Sequence, residues 1–312
     1  MLKQEQVKEF VNALRKKFPE IKLLIQFGSS VSGDFNKRIS DVDLAIILSA
    51  KKKEKKVKDS VYGFPHSFGM QTHVYSMGDF LKKLKQADPL CLSILYTGKP
   101  LYGSKYCEQL KNKNFKPDKS SIRKCMLNSF GALSLGISDL LYGMVSDPVN
   151  SIYHAARSSI WATLMDKDIT PNNKRIFELI KDKKIIDLYR KTVHFRNNPP
   201  DYETHNLDLD KEIYRKGNIN EFTKYLDDAT TIVKINYKKI FGKDFIGLFE
   251  LLNLVHKKYK QIPDFYNVRL SVNWEKEFPF YTVVLSFKNG KRFLVELSDN
   301  GKIRREMDLS DK

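Results

Sequence analysis

Residues 21–48 constrain the fold more tightly than any other part of the chain. Ile21–Phe27 and Val42–Leu48 are short, mostly apolar runs of strand length. Between them, from Gly28 to Ser40, the chain is polar and rich in Gly and Ser, which reads as a loop that opens a helix. Two acids, Asp41 and Asp43, stand at the head of the second run. Two residues apart on a strand, they leave the same face with Cα atoms about 7 Å apart. Bare carboxylates that close repel one another unless a cation lies between them. Magnesium suits such oxygen donors, being commonly held by one or two carboxylates together with substrate phosphates. Ser40 is placed to cap the turn that presents Asp41.

The Gly28-Ser29 step that follows the first run complements those acids. Glycine lets a phosphate approach the backbone, the Ser29 hydroxyl can donate to a phosphate oxygen, and helix amides after the turn add a favourable field. One loop can thus seat a triphosphate while the next strand holds its metals. Phosphoryl-type transfer asks little more of a protein than this positioning and charge neutralisation. Lys37 and Arg38, inside the loop, are candidates for triphosphate contacts. The basic run at 51–58 (KKKEKKVK) follows the second strand and could form a phosphate or RNA contact near the site, though runs of this kind more commonly form a solvated turn or short helix.

A chain of 312 residues is long for one core, so two or three domains are expected. No stretch of about 18 uncharged apolar residues argues for a membrane span. The N-terminus reads as an amphipathic helix, with Val7, Phe10, Val11, Leu14 and Phe18 on one stripe, and not as a signal peptide. Three scattered cysteines, Cys91, Cys107 and Cys125, point to reduced thiols and a cytoplasmic location, and they form no zinc pattern. The net charge of +18 favours polyanionic partners, but an evenly spread lysine excess explains it equally well.

Further along, residues 70–75 read as a third strand, and 79–86 and 89–96 as helices, broken at Thr97-Gly98-Lys99-Pro100. A polar segment around Pro117 reads as a linker. Helical periodicity then dominates: 122–142, 149–165, 175–181, 185–195 and 220–241. Residues 245–259 read as an amphipathic helix. Four alternating runs follow, at 268–274, 280–287, 292–297 and 303–307, with Asn289-Gly290 and Asn300-Gly301 as hairpin turns. The expected class is α+β: an N-terminal mixed sheet with flanking helices (1–110), a central helical bundle (120–243) and a small helix plus antiparallel sheet (244–312). Aromatic residues Trp274, Phe278 and Phe280 near the last part could stack bases, though such residues more often form a small core.

The string Phe27-Gly28-Ser29-Ser30-Val31-Ser32-Gly33, followed by Ser40-Asp41-Val42-Asp43-Leu44, resembles the signature of the DNA polymerase beta-like nucleotidyltransferase superfamily. Leu95-Tyr96-Thr97-Gly98-Lys99-Pro100-Leu101-Tyr102-Gly103 resembles the way its small prokaryotic members end, so the likeness covers residues 5–106. The resemblance implies that Asp41 and Asp43 bind a divalent metal, Mg2+ or Mn2+. It also implies that Gly28, Ser29, Gly33, Arg38 and Ser40 shape the nucleotide site, and that a nucleoside monophosphate moves from an NTP to an acceptor hydroxyl. RNA, protein or a small molecule could supply that hydroxyl.

The chain departs from the family at the third carboxylate, normally carried on the following strand. Gln71 stands where that acid is expected, and His73 shares its face. Gln71 cannot act as a base. His73 can, given a reference pKa of about 6.5, although a lone strand histidine is more often simply hydrogen-bonded in place. Asp79, the next acid, reads as a helix N-cap or first-turn residue.

The helical segment, with 151–161 (SIYHAARSSIW), 195–202 (FRNNPPDY) and Asp227-Asp228-Ala229, is similar to HEPN domains, which often accompany small nucleotidyltransferases. Arg190 and His194 are too close for the HEPN ribonuclease spacing, and His205 is too far from Arg196. The expectation is a helical domain without catalytic residues that binds the acceptor or forms a homodimer. Two rivals to an active transferase stand beside it. One is a weakened, nucleotide- or partner-binding member of the same fold, supported by Gln71. The other is a toxin–antitoxin-like protein with a degenerate ribonuclease domain.

Overall fold

The computed structural model describes residues 4–32, 42–64, 67, 69–141, 146–171, 173–198, 219–247, 250, 254, 255, 257, 258, 265–275 and 278–310. The chain is α+β, with a four-stranded mixed sheet near the N-terminus and a separate antiparallel sheet near the C-terminus. It divides into two compact units, residues 1–122 with 164–179, and residues 123–163 with 180–312.

In the first unit, helix α1 (Gln4–Lys17) precedes strand β1 (Ile21–Phe27), a single turn α2 (Ser29–Ser32) and strand β2 (Val42–Leu48). The basic run becomes a 3-10 turn and helix α3 (Glu54–Val61), whose lysines find acids: Lys58 pairs with Glu54 at 2.6 Å, Lys53 with Glu20 at 3.3 Å and Lys51 with Asp79 at 3.3 Å. Strand β3 (Met70–Ser76), helices α4 (Met77–Lys85) and α5 (Pro89–Thr97), strand β4 (Lys99–Tyr102) and helix α6 (Ser104–Lys111) follow. The sheet order is β3-β2-β1-β4, with β2 and β3 parallel and β1 antiparallel to both of its neighbours.

Strand alternation assigns the two faces of this sheet. Leu24, Leu44, Ile46 and Leu48 meet the stripe Val7, Phe10, Val11 and Leu14 of α1 and Val57 and Val61 of α3. Each such side chain contributes roughly 1.5–3 kcal/mol on full burial, so this face anchors α1 across the sheet. The opposite face meets the helices after β3. Phe80 packs on Tyr75, and the backbone at Gly98 and Gly103 closes against Ile25 and Leu23.

The helix does break at 97–100, since α5 ends at Thr97 with Gly98 as its C-cap, and the chain then enters a strand the sequence did not announce, β4, paired with β1 through Gln26↔Lys99 and Ile25↔Pro100. Proline has no N–H to give a ladder, and β4 is an edge strand, where that loss is tolerated.

In the second unit, long helices α7 (Lys119–Leu141, which begins in the first unit), α8 (Ser146–Met165, whose end belongs to the first) and α11 (Ile219–Phe241) run with α10 (Lys183–Asn197). The short helix α9 (Ile176–Leu179) belongs to the first unit. Strands β5 (Phe265–Glu275), β6 (Phe278–Phe287), β7 (Arg292–Ser298) and β8 (Ile303–Asp308) form the second sheet as a meander. Tyr281, Val283 and Leu285 are buried while Thr282, Val284 and Ser286 are not, the alternation of a sheet with one covered face. Gly290 and Gly301 turn the hairpins at φ of 83° and 81°. The covered face belongs to the same unit as the helices: the Phe130 ring meets Tyr237, Phe245 and Tyr281 edge-on, with centroids 4.7–6.4 Å apart. Of the helix read at 245–259, residues 250, 254, 255, 257 and 258 are helical and 243–247 are not; the rest lies outside the described residues.

Candidate active site

The end of β1 and the start of β2 meet where the Gly-Ser turn begins. Phe27 pairs with Asp43, so the turn leaves β1 directly beside this acid. Gly28 adopts φ +71°, in the left-handed region that glycine enters without steric cost. A Cβ on Gly28 would stand 2.1 Å from Oδ2 of Asp43 and 3.1 Å from its Cγ. The carboxylate therefore rests on the bare Cα of the turn, in space that any side chain would fill. Gly28 is required twice over, by its backbone angle and by its neighbour.

After Gly28 the chain closes the α2 turn. The Val31 amide donates to the Gly28 carbonyl at 3.1 Å. The Ser30 hydroxyl donates to the Phe27 carbonyl at 3.1 Å and accepts from the Gln26 amide at 3.1 Å, so Ser30 is a structural member of the turn. Ser29, half-buried, opens α2 immediately beside the Asp43 carboxylate's support. Gly33, Lys37, Arg38, Ser40 and Asp41 lie outside the described residues.

Across the β2–β3 ladder, Asp43 pairs with Gln71 and Ala45 with His73. Paired residues on neighbouring strands share a face, so Gln71 lies beside Asp43, exposed, and His73 one step deeper along the same face. The His73 ring stands edge-on to Phe27, centroids 5.4 Å apart. Burial lowers its pKa below the ordinary imidazole value, because the charged form loses its hydration. His73 is therefore neutral near pH 7. Asp79 does not join this group. Its hydrogen-bond partner Ser76 is five residues along β3 from Gln71, about 16 Å at strand rise. There the Ser76 hydroxyl accepts from the Asp79 amide at 3.1 Å and donates to its carboxylate at 2.8 Å. Those bonds, with Lys51, hold its pKa down; Ser76 is the N-cap of α4 and Asp79 an acid of its first turn.

The His73 shift carries a pH signature. A histidine with a lowered folded pKa stabilises the fold fully above the unfolded value of about 6.5, and that contribution is lost as pH falls below it, since the unfolded chain binds the proton first. His154, buried beside Arg157 and Arg196, is shifted the same way by desolvation and by those two cations, so the test is a comparison. Chemical denaturation between pH 7.5 and 5 is expected to show a shallower loss of stability in His73→Phe, which keeps the edge contact with Phe27, than in wild type. Equal slopes would remove His73 from the account.

The donors described at this corner, the Asp43 carboxylate and the Gln71 amide oxygen, are hard oxygen ligands of the kind magnesium prefers. Asp43 is half-buried at the start of β2, and Gln71 is exposed at the paired position of β3. Among the described residues no group of three or more His, Cys, Asp or Glu side chains is placed to hold a metal ion, and Asp43 is the described carboxylate at this corner. The pair Arg190 and His194, by contrast, lies on the exposed surface of α10, with Arg190 3.7 Å from Asp187. Among the described residues no helix is long and apolar enough to cross a membrane.

The family model of the nucleotidyltransferase domain matches residues 7–114, about a third of the chain and the segment from α1 to just past α6. The N-terminal unit thus carries a nucleotidyltransferase domain, with the general chemistry of nucleoside monophosphate transfer. No curated protein matches the chain.

Proposed function

We propose that the protein is a metal-dependent nucleotidyltransferase that moves NMP from an NTP to a hydroxyl of an RNA, protein or small-molecule acceptor. The observation that supports this reading is the seating of the Asp43 carboxylate on the Cα of Gly28, which brings the acid we assign to metal and the turn we assign to phosphate to one corner. Asp41 and Asp43 would hold Mg2+ or Mn2+, which would supply charge neutralisation to the phosphates and polarise the reacting oxygens. Gly28, Ser29, Gly33, Arg38 and Ser40 shape the triphosphate site. The acceptor oxygen attacks the α-phosphorus, the α–β bridging bond breaks, and the electron pair leaves with pyrophosphate.

Gln71 can orient the acceptor hydroxyl but cannot take its proton. His73, neutral and on the same face, is our candidate for that proton, which otherwise passes to water. The remaining assignments follow the same reading: a domain of residues 1–110, a HEPN-like helical segment at 120–243 that presents the acceptor or pairs with a second copy, an appendage at 244–312, and a cytoplasmic site of action.

The test is pyrophosphate release and label transfer from each NTP with Mg2+ or Mn2+. Asp43→Asn is expected to lower the rate by roughly a thousandfold, since a lost metal ligand removes charge stabilisation present throughout the reaction. Gln71 at the position of an acid favours one rival, a nucleotide-binding member without turnover. No pyrophosphate from any NTP, together with NTP binding that Asp43→Asn abolishes, would decide for that rival.

A further inference from the structure

A second feature of the N-terminal unit lies on the reverse of its sheet. A cavity of about 540 Å³ opens between α1 and the β1–β4 edge, within the range of small-ligand sites. Gln26 and Val42 line it. Gln26 precedes Phe27, the partner of Asp43, and Val42 precedes Asp43 itself, so alternation turns both away from the candidate active site. A ligand here would occupy a different site from a triphosphate on the Asp43 face.

The walls are chemically one-sided. Lys8 and Arg15 project from α1 and Lys99 from β4, and among the described residues no carboxylate lines the space. The Arg15 guanidinium lies over the Tyr102 ring, its Cζ 3.8 Å from the centroid. That contact restrains the planar fork, leaving less freedom to lose when its N–H groups meet a phosphate. The floor is apolar, made by side chains such as Val11 and Leu101. Three cations around an apolar floor select an anion with a hydrophobic body, and the volume suits one nucleotide unit.

We propose that this cavity binds a phosphate-bearing ligand of about mononucleotide size, either a free nucleotide or the 5′-phosphorylated end of a strand, at a site separate from the transferase centre. The shared chemistry is a phosphomonoester held by Lys8, Arg15 and Lys99 with a base against the floor. The cavity also abuts the catalytic turn, because Ser30, one of its walls, is bonded to Phe27 and Gln26.

Calorimetric titration of the full chain in EDTA tests this with AMP and with a 5′-phosphorylated trinucleotide as probes and adenosine as the phosphate-free control. EDTA suppresses any metal-dependent binding on the Asp43 face. Saturable binding of at least one phosphorylated probe is expected, with adenosine roughly tenfold weaker or more. Lys99→Glu and Lys8→Glu, both exposed positions, are each expected to weaken it by roughly tenfold, since each reverses a charge facing the phosphate. Asp43→Asn should leave it unchanged. Tighter binding of the trinucleotide identifies a strand end as the source of the ligand, and tighter binding of AMP a free nucleotide. Thermal melts establish that the variants are folded. Binding of neither probe, or binding lost in Asp43→Asn and retained in the lysine reversals, would overturn the proposal. Because no metal or turnover enters the measurement, its failure is separable from failure of the transferase reading.

Discussion

Alanine at position 28 is expected to lower NMP transfer by roughly a hundredfold or more while leaving the chain folded, because a misplacement of about 1 Å in a reacting constellation costs that much. The new Cβ would stand 2.1 Å from Oδ2 of Asp43, well inside any contact distance. The cheapest relief is rotation of the carboxylate, a side-chain terminus that moves without disturbing the β1–β2 ladder. The fold thus escapes most of the clash and the site absorbs it. The backbone adds its own cost, since φ +71° disfavours a residue with a Cβ by about 1–2 kcal/mol. That term can be measured alone at Gly290, which has φ +83° and nothing within 4 Å of a Cβ. Gly290→Ala should therefore lose a similar backbone increment, a few degrees in melting temperature, with transfer intact. Pyrophosphate release and thermal melts on both variants separate the two effects. Full activity in Gly28→Ala would mean that the carboxylate seat on the turn has no part in the chemistry.

The same corner shows what the sequence could and could not convey. The bounds of β1 and β2 follow from composition, because 21–27 and 42–48 are mostly apolar runs, broken by Lys22, Gln26 and Asp43 alone, between polar segments. The hairpin turns at Gly290 and Gly301 were equally legible, since Asn-Gly between alternating runs has few other solutions. Strand β4 was hidden for a physical reason. Its four residues include Pro100, and only a sheet edge makes proline acceptable; a linear reading does not know which strand will be the edge. The contact between Gly28 and Asp43 was hidden as well. The spacing of the motif places both near a phosphate, but that one sits on the other depends on the Phe27↔Asp43 register, which is set by pairing across the loop. The division into units also escaped a linear reading. Residues 164–179 return to the N-terminal unit, and Phe130 of the helices shares an aromatic cluster with Tyr281 of the C-terminal sheet. Such long-range packing leaves no local signal.

Replacing Gln71 with aspartate is expected to make the stability of the protein depend on magnesium. Gln71 and Asp43 are direct neighbours in a parallel ladder, with strands about 4.8 Å apart. An acid at position 71 would therefore set a second carboxylate roughly 5 Å from the first, a repulsion of about 1–3 kcal/mol between water-like and surface-like dielectrics. In EDTA the variant should melt several degrees below wild type, and each kcal/mol is worth about 2–4 °C in a unit of this size. A divalent cation reverses the sign. Binding only to the folded state at a hundred times its dissociation constant stabilises by about 2.7 kcal/mol, enough to cancel the repulsion. The melting temperature of Gln71→Asp should thus rise with added Mg2+ by several degrees more than that of wild type. Gln71→Asn, which adds no charge, should show no such difference. Transfer, measured in parallel, is expected to increase, because the added carboxylate supplies both a metal ligand and an acceptor for the hydroxyl proton. If Gln71→Asp melts at the same temperature in EDTA and in magnesium, the face shared by Asp43 and Gln71 does not gather cations, and the metal-dependent mechanism loses its footing.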